Sequence, residues 1–184
     1  MKVLFVCTGN LCRSPMAEVM LRAELKKRGC AGVNVASCGT WAGAGYEATS
    51  QAVEVMSGRG IDLAAHRSRP LDPEEVLEAD IVVAMTSVHV GEILEAAPQA
   101  SNKVIMLKEI GAIALTAPDA EARARVAELL GADRPEGRRG LDLDDPMGLP
   151  SSAYERCASE LEAGIAALAD VLCGTIPPPR EAAS

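Results

Sequence analysis

Short apolar runs bounded by turn residues alternate along this chain with stretches whose apolar positions recur every three or four residues. Val3 to Val6 is the first such run and reads as a buried strand. Ala17, Met20, Leu21 and Leu25 then form a stripe at helical spacing that stops near Gly29. Val33 to Ser37 predicts a second strand, followed by a loop from Gly39 to Gly45. Ala52, Val53, Val55 and Met56 support a helix ending at Gly58 or Gly60, and Asp72-Pro73-Glu74-Glu75 starts a short one. Ile81 to Met85 is a third buried strand, Ser87 to about Ala97 a helix, and Val104 to Leu107 a fourth strand. From Ser151 to Leu172 the spacing predicts a long helix with Tyr154, Cys157, Leu161, Ile165, Leu168 and Leu172 on one face.

Strands that alternate with helices imply the α/β class, a parallel sheet with helices on both faces. Residues 109–140 fit this rhythm least. Pro118 to Leu130 reads as an alanine-rich surface helix, and residues 135–140 as a polar turn or mobile loop. Ile176-Pro177-Pro178-Pro179-Arg180 reads as a flexible extension. The expected organisation is one domain over 1–173 and a tail over 174–184, with no internal repeat.

Composition changes this picture little and narrows the partners. A chain of 184 residues is most economically one domain with a sizeable core. A formal charge of -8 argues against nucleic acid or an anionic membrane as the main partner. No apolar stretch approaches a membrane span, and Met1-Lys2-Val3 leads straight into the first strand, so a cytoplasmic location is expected. Six cysteines, at 7, 12, 30, 38, 157 and 173, include no C-x-x-C pair, and His66 and His89 lie far from them in sequence. Neither a disulfide framework nor a zinc site is expected. Cys30, Cys38, Cys157 and Cys173 read as small packing residues, and His89 as an ordinary residue on a helix surface.

The chemistry concentrates in Cys7-Thr8-Gly9-Asn10-Leu11-Cys12-Arg13-Ser14-Pro15, between the first strand and the first helix. Pro15 suits the first helical position, where no backbone donor is lost. Backbone N–H groups of such a loop converge with the positive end of the helix into an anion-binding concavity. Gly9 and Asn10 are residue types that tolerate the left-handed conformations needed to aim those groups inward. Arg13 brings a planar fork that grips two oxygens of a phosphoryl group. The same positive field favours a thiolate nucleophile at Cys7. Phosphoryl transfer to sulfur is the chemistry implied.

Such a reaction needs a proton donor for the leaving oxygen. Two Asp-Pro dipeptides compete for the role. Asp72-Pro73, with Glu75 three residues after the aspartate, has the pattern of a helix cap. Asp145-Pro146-Met147-Gly148 sits in a turn-rich loop, where a mobile acid belongs.

The loop with its flanks, Phe5-Val6 before and Met16-Ala17-Glu18 after, resembles the low-molecular-weight protein tyrosine phosphatases, which carry it at the same N-terminal place. The resemblance implies a four-stranded parallel α/β sandwich. It also implies a metal-free and cofactor-free hydrolysis through a cysteinyl-phosphate intermediate. It gives the acid to Asp145, phosphate binding to Thr8, Gly9, Asn10, Leu11, Cys12 and Ser14 beside Arg13, and a supporting network to Asn10, Ser14, Ser37 and His66. Residues 109–140 look extended relative to the family.

The implied partners are a phosphorylated protein and an inorganic phosphate or sulfate in the loop, with the chain a monomer or weak dimer. Cys12 would capture an oxidised Cys7 as a disulfide. The family usually places an aromatic residue after the Asp-Pro; here that position is Met147, so Trp41 or Tyr46 is expected to supply the missing wall. The related protein-arginine phosphatases carry threonine where this chain has Leu11, and a larger apolar residue there favours phosphotyrosine. Arsenate reductases on this fold need further cysteines that the span from Asp80 to Ala100 lacks.

Overall fold

The computed structural model describes residues 1–116, 124, 128 and 140–175. The expected helix over 118–130, most of the turn over 135–140 and the tail beyond residue 175 lie outside the described residues. Four strands, β1 (Lys2–Cys7), β2 (Asn34–Gly39), β3 (Ile81–Ala84) and β4 (Val104–Met106), form one parallel sheet in the order β2-β1-β3-β4. Helices α1 (Arg13–Lys27), α2 (Ser50–Gly58), α3 (Pro73–Glu78), α4 (Ser87–Ala96), α5 (Leu107–Thr116) and α6 (Ser151–Thr175) cover it.

Alternation along each strand splits the core in two. Val3 and Phe5 of β1 and Val83 of β3 face a cluster built with α1, α2, α5 and α6. Leu4, Val6, Val82 and Ala84 face a smaller cluster that includes Val76 of α3 and Val90 and Ile93 of α4. Both faces of β1, β3 and β4 are covered, which is why these strands read as continuous apolar runs, while the edge strand β2 keeps Asn34 exposed.

The chain leaves β1 for β2 on one side and then crosses over to β3 on the other. This reversal puts the carboxyl end of β1 at the switch point of the sheet, where α/β proteins open a crevice. Cys7 ends β1 there, paired in register with Gly39 of β2.

Three expectations are corrected. Helix α1 begins at Arg13, so Pro15 is its third residue, not its first. The first-turn amides have no intrahelical acceptor in any case, so the ring costs nothing there. Leu107 does not end a strand but opens α5, whose Leu107, Ile110 and Ile113 are buried against α6. The crossing is close: a Cβ at Gly164 would stand 2.7 Å from the Leu107 side chain, and one at Gly111 3.4 Å from the Gly164 nitrogen. No turn residue separates Met106 of β4 from Leu107, so the apolar run hides the change from strand to helix.

Cys30 and Cys173 pack against the core as expected but also form an unexpected disulfide, joining the residues just beyond α1 to the end of α6 across 143 positions of sequence. Arg28 binds Glu24 and Asp170 beside it. A bond closing so long a loop restricts the unfolded chain strongly. Reduction, or Cys173→Ser, is expected to lower unfolding stability by roughly 2–5 kcal/mol. Thermal melts with and without reductant check this, and an unchanged melting temperature would deny the bond any stabilising part.

Candidate active site

Six residues between Cys7 and Ser14 turn the chain from β1 into α1. Asn10 is the one non-glycine residue with positive φ among the described residues, at 53°. Gly9 is not left-handed, contrary to expectation, and a Cβ there would meet only the Leu11 side chain at 3.7 Å. The strained residue is held from every side. Asn10 Nδ2 donates to Ser14 Oγ (2.9 Å) and Ser37 Oγ (2.8 Å), and its Oδ1 accepts from the Arg69 backbone N–H (2.9 Å). Its carbonyl accepts from Nε2–H of His66 at 2.8 Å, a bond that fixes the proton on that nitrogen. Burial nevertheless pushes the His66 pKa down, so the ring works neutral. Ser37 Oγ in turn donates to Glu18 Oε2 at 2.5 Å. A fully bonded network of this kind stiffens a backbone that would otherwise relax.

Cys7 Sγ lies 2.9 Å from Ser14 Oγ, a hydroxyl that also reaches the Cys38 carbonyl at 3.2 Å. Arg13 is 4% exposed and its fork spans two loops. Nη1 donates to the Leu143 carbonyl (3.3 Å), while Nη2 donates to Thr8 Oγ1 (3.3 Å) and Asp145 Oδ2 (2.6 Å). The segment bearing Asp145 is fastened in turn. Leu143 N–H donates to the Met85 carbonyl at 2.9 Å, and the Asp142 carboxylate accepts from the Ser87 backbone N–H at 2.6 Å. The other Asp-Pro lies outside this cluster. Its Asp72 caps α3, the carboxylate accepting from Glu74 N–H at 3.0 Å.

A sulfur nucleophile, a buried guanidinium and a half-exposed carboxylate thus converge on one loop at a helix N-terminus, the arrangement suited to in-line displacement at phosphorus. The sequence model of the Low molecular weight phosphotyrosine protein phosphatase family matches residues 2–117. The chain belongs to that family. It is 37% identical over 171 residues to the protein-arginine-phosphatase of Geobacillus stearothermophilus, covering 93% of this chain and 95% of that one. It is 39% identical over 163 residues to the probable low molecular weight protein-tyrosine-phosphatase EpsP of Ralstonia solanacearum, covering 89% and 90%. Among solved structures it resembles the YwlE arginine phosphatase in which a serine replaces the active-site cysteine and is phosphorylated. That match has a TM-score of 0.73 and 32% identity, and covers 92% of this chain and 93% of the other.

As a member of this phosphatase family the chain is a hydrolase, and most of the residues singled out in its sequence meet at the loop. Arg13 joins Thr8 to Asp145, Cys7 meets Ser14 in the same loop, and Asn10, Ser37 and His66 form the layer behind it. Leu11 packs partly against the core, and its carbonyl accepts from Thr49 N–H at 3.0 Å. Cys12 Sγ is buried 3.5 Å from Thr49 Oγ1 and 3.6 Å from Tyr154 Oη, and burial pushes its pKa up. Trp41 and Tyr46 stand well exposed after β2, the indole N–H donating to Glu92 at 2.7 Å. Met147 donates its backbone N–H to Asp145 Oδ1 at 3.1 Å.

Three contributors escape a reading of the sequence. Gly39 ends β2 against the loop, and a Cβ there would press into the Thr8 carbonyl and stand 2.9 Å from Asn10 N. Only a glycine lets the two backbones approach so closely. Arg69 bonds Asn10 through its main chain and Ser37 O through its guanidinium. His89, expected on a helix surface, is 2% exposed and bonded to Thr8. The Thr86-Ser87-Val88-His89 capping pattern marks the helix start, but nothing in it points at residue 8.

Proposed function

We propose that this chain is a protein tyrosine phosphatase in which Cys7 attacks phosphorus, Arg13 and the loop amides hold the equatorial oxygens, and Asp145 protonates the leaving group. The observation that carries the reading is the Arg13 fork. One buried guanidinium ties the phosphate loop, through Thr8, to the Asp145 carboxylate, so acid and anion site are held together. Sulfur then leaves phosphorus as water attacks, and Asp145, having given up its proton, takes one from that water. Asn10, Ser37 and His66 hold the loop in this reading, and Ser14 donates to the departing sulfur. The phosphorylated serine in the solved YwlE relative supports phosphoryl transfer to the residue at this place.

The substrate is a phosphorylated protein, with Trp41, Tyr46 and Met147 as the outer wall. Inorganic phosphate or sulfate fits the loop. Cys12 is the resolving thiol if Cys7 is oxidised. A cytoplasmic location, a monomer or weak dimer, and a domain over 1–173 with an added segment over 109–140 complete the proposal. No helix among the described residues is long and apolar enough to cross a membrane.

Arginine dephosphorylation is the second reading, favoured by the 37% identity to the Geobacillus stearothermophilus protein-arginine-phosphatase. Leu11 weighs against it, because an apolar side chain at the loop offers no hydrogen bond to a phosphorylated guanidinium. Paired kcat/KM measurements on phosphotyrosine and phosphoarginine peptides decide between them. Phosphotyrosine is expected to be the better substrate, and Leu11→Thr to move the ratio toward phosphoarginine by ~1–3 kcal/mol. If the unaltered chain already prefers phosphoarginine, Leu11 is not the selector.

A further inference from the structure

We propose that His89 is a positioning residue for phosphoryl transfer, holding the Thr8 hydroxyl and through it the Arg13 guanidinium. The inference rests on the reading of the loop just given and adds a residue from outside it. His89 lies in the first turn of α4 with its ring buried between two threonine hydroxyls. Nδ1 is 2.8 Å from Thr86 Oγ1 and Nε2 is 2.9 Å from Thr8 Oγ1. Thr86 Oγ1 also accepts the His89 backbone N–H at 3.3 Å, and Thr8 Oγ1 accepts from Arg13 Nη2 at 3.3 Å. The imidazole is therefore the bridge between a helix cap and the phosphate loop.

Counting protons selects the direction of the relay. A neutral imidazole donates from one nitrogen and accepts at the other. With Thr86 O–H donating to Nδ1, the proton sits on Nε2 and goes to Thr8 Oγ1. Thr8 then accepts twice, from His89 and Arg13, and its own O–H remains to donate toward a phosphoryl oxygen or the Asp145 carboxylate. The opposite tautomer uses up the Thr8 proton inside the protein and leaves the Thr86 hydroxyl hydrogen with no acceptor in the relay. The first arrangement leaves the free hydroxyl hydrogen on Thr8, at the exposed mouth of the site, and so gives the loop one more donor for an anion. The ring stays neutral in either case, since burial and the nearby Arg13 charge push its pKa down to about 4.

Thr8 itself is exposed at the mouth of the site, so without His89 its hydroxyl keeps only the longer bond from Arg13. The bond from His89 fixes that hydroxyl before substrate arrives.

A double-mutant cycle tests this, with Thr8→Val, His89→Leu and the pair, read as kcat/KM on an aryl phosphate and as Kd for inorganic phosphate by calorimetry. Each single change is expected to weaken both by roughly tenfold, the loss of about one hydrogen bond to an ion. The pair should be no worse than the worse single change. His89→Gln, whose amide nitrogen reaches toward the Nε2 position, should retain most activity. Multiplicative losses in the pair, or a folded His89→Leu with unchanged kcat/KM and phosphate Kd, would overturn the relay. Should His89→Leu fail to fold, Thr8→Val decides alone: unchanged values there are equally fatal. A chain with no turnover at all counts against the reading of the site, while the same cycle in phosphate Kd still decides the relay.

Discussion

Cys7→Ser is expected to bring turnover of p-nitrophenyl phosphate below detection while inorganic phosphate still binds. Two groups of atoms separate the outcomes. In the proposed mechanism the anion is held by the loop amides and by Arg13, whose anchors at Leu143, Thr8 and Asp145 do not involve residue 7. The covalent step needs the sulfur, which is buried at the end of β1 with Ser14 Oγ 2.9 Å away. A serine hydroxyl in the same place is a far weaker nucleophile, because no general base stands beside it: Ser14 is itself a hydroxyl, and Asp145 is engaged with Arg13. With the Arg13 anchors intact, phosphate affinity should hold. Single-turnover measurement of phosphate release, with calorimetry on the same preparation, checks both halves. Turnover near the unaltered rate with no phosphate found on the introduced serine would mean that water attacks phosphorus directly, and the covalent route would be wrong.

The loop was legible because its chemistry is contiguous. Cysteine, glycine, asparagine, arginine and serine within eight positions place nucleophile, turn and anion grip by chain geometry alone, and Asn10 takes the left-handed conformation its residue type permits. The β-α alternation was legible for a related reason, since β1, β3 and β4 are buried on both faces and read as apolar runs. Asp145 was a choice of two from the residues alone. The structure gives Asp72 a helix cap and Asp145 the Arg13 contact, a distinction that depends on which loops meet in space.

What stayed hidden is what sequence separates. His89 is 81 positions from the hydroxyl it holds. Gly39 serves by having no side chain, which composition cannot distinguish from any other turn glycine. Cys30 and Cys173, 143 positions apart, become partners only because α1 and α6 lie side by side and end together. Helix α5 was missed for a local reason, since it begins at Leu107 directly after β4 ends at Met106, with no turn residue to mark the change.

Asp145→Ala is expected to slow intermediate formation by ~10²–10⁴, the range of general acid catalysis. The loss should grow as the leaving group worsens: small for p-nitrophenyl phosphate, whose oxygen departs nearly unaided, and largest for an alkyl phosphate. A second effect runs the other way. Asp145 Oδ2 sits 2.6 Å from Arg13 Nη2, so an incoming phosphate dianion competes with this carboxylate for one side of the fork. Removing the carboxylate frees that donor, and phosphate should bind as tightly or more tightly while kcat falls. Asp145→Asn separates the two effects, because the amide oxygen can still accept from Arg13 but the side chain cannot deliver a proton. It should match Asp145→Ala in kcat and the unaltered chain more nearly in phosphate affinity. Asp72→Ala serves as the control, costing about 1 kcal/mol of stability through the lost cap with kcat intact. If the alkyl phosphate is hydrolysed at full rate by Asp145→Ala but not by Asp72→Ala, the acid has been assigned to the wrong loop. A uniform loss across leaving groups would instead make Asp145 a tether for Arg13, since only a proton donor in the transition state makes the deficit depend on how badly the departing oxygen needs one.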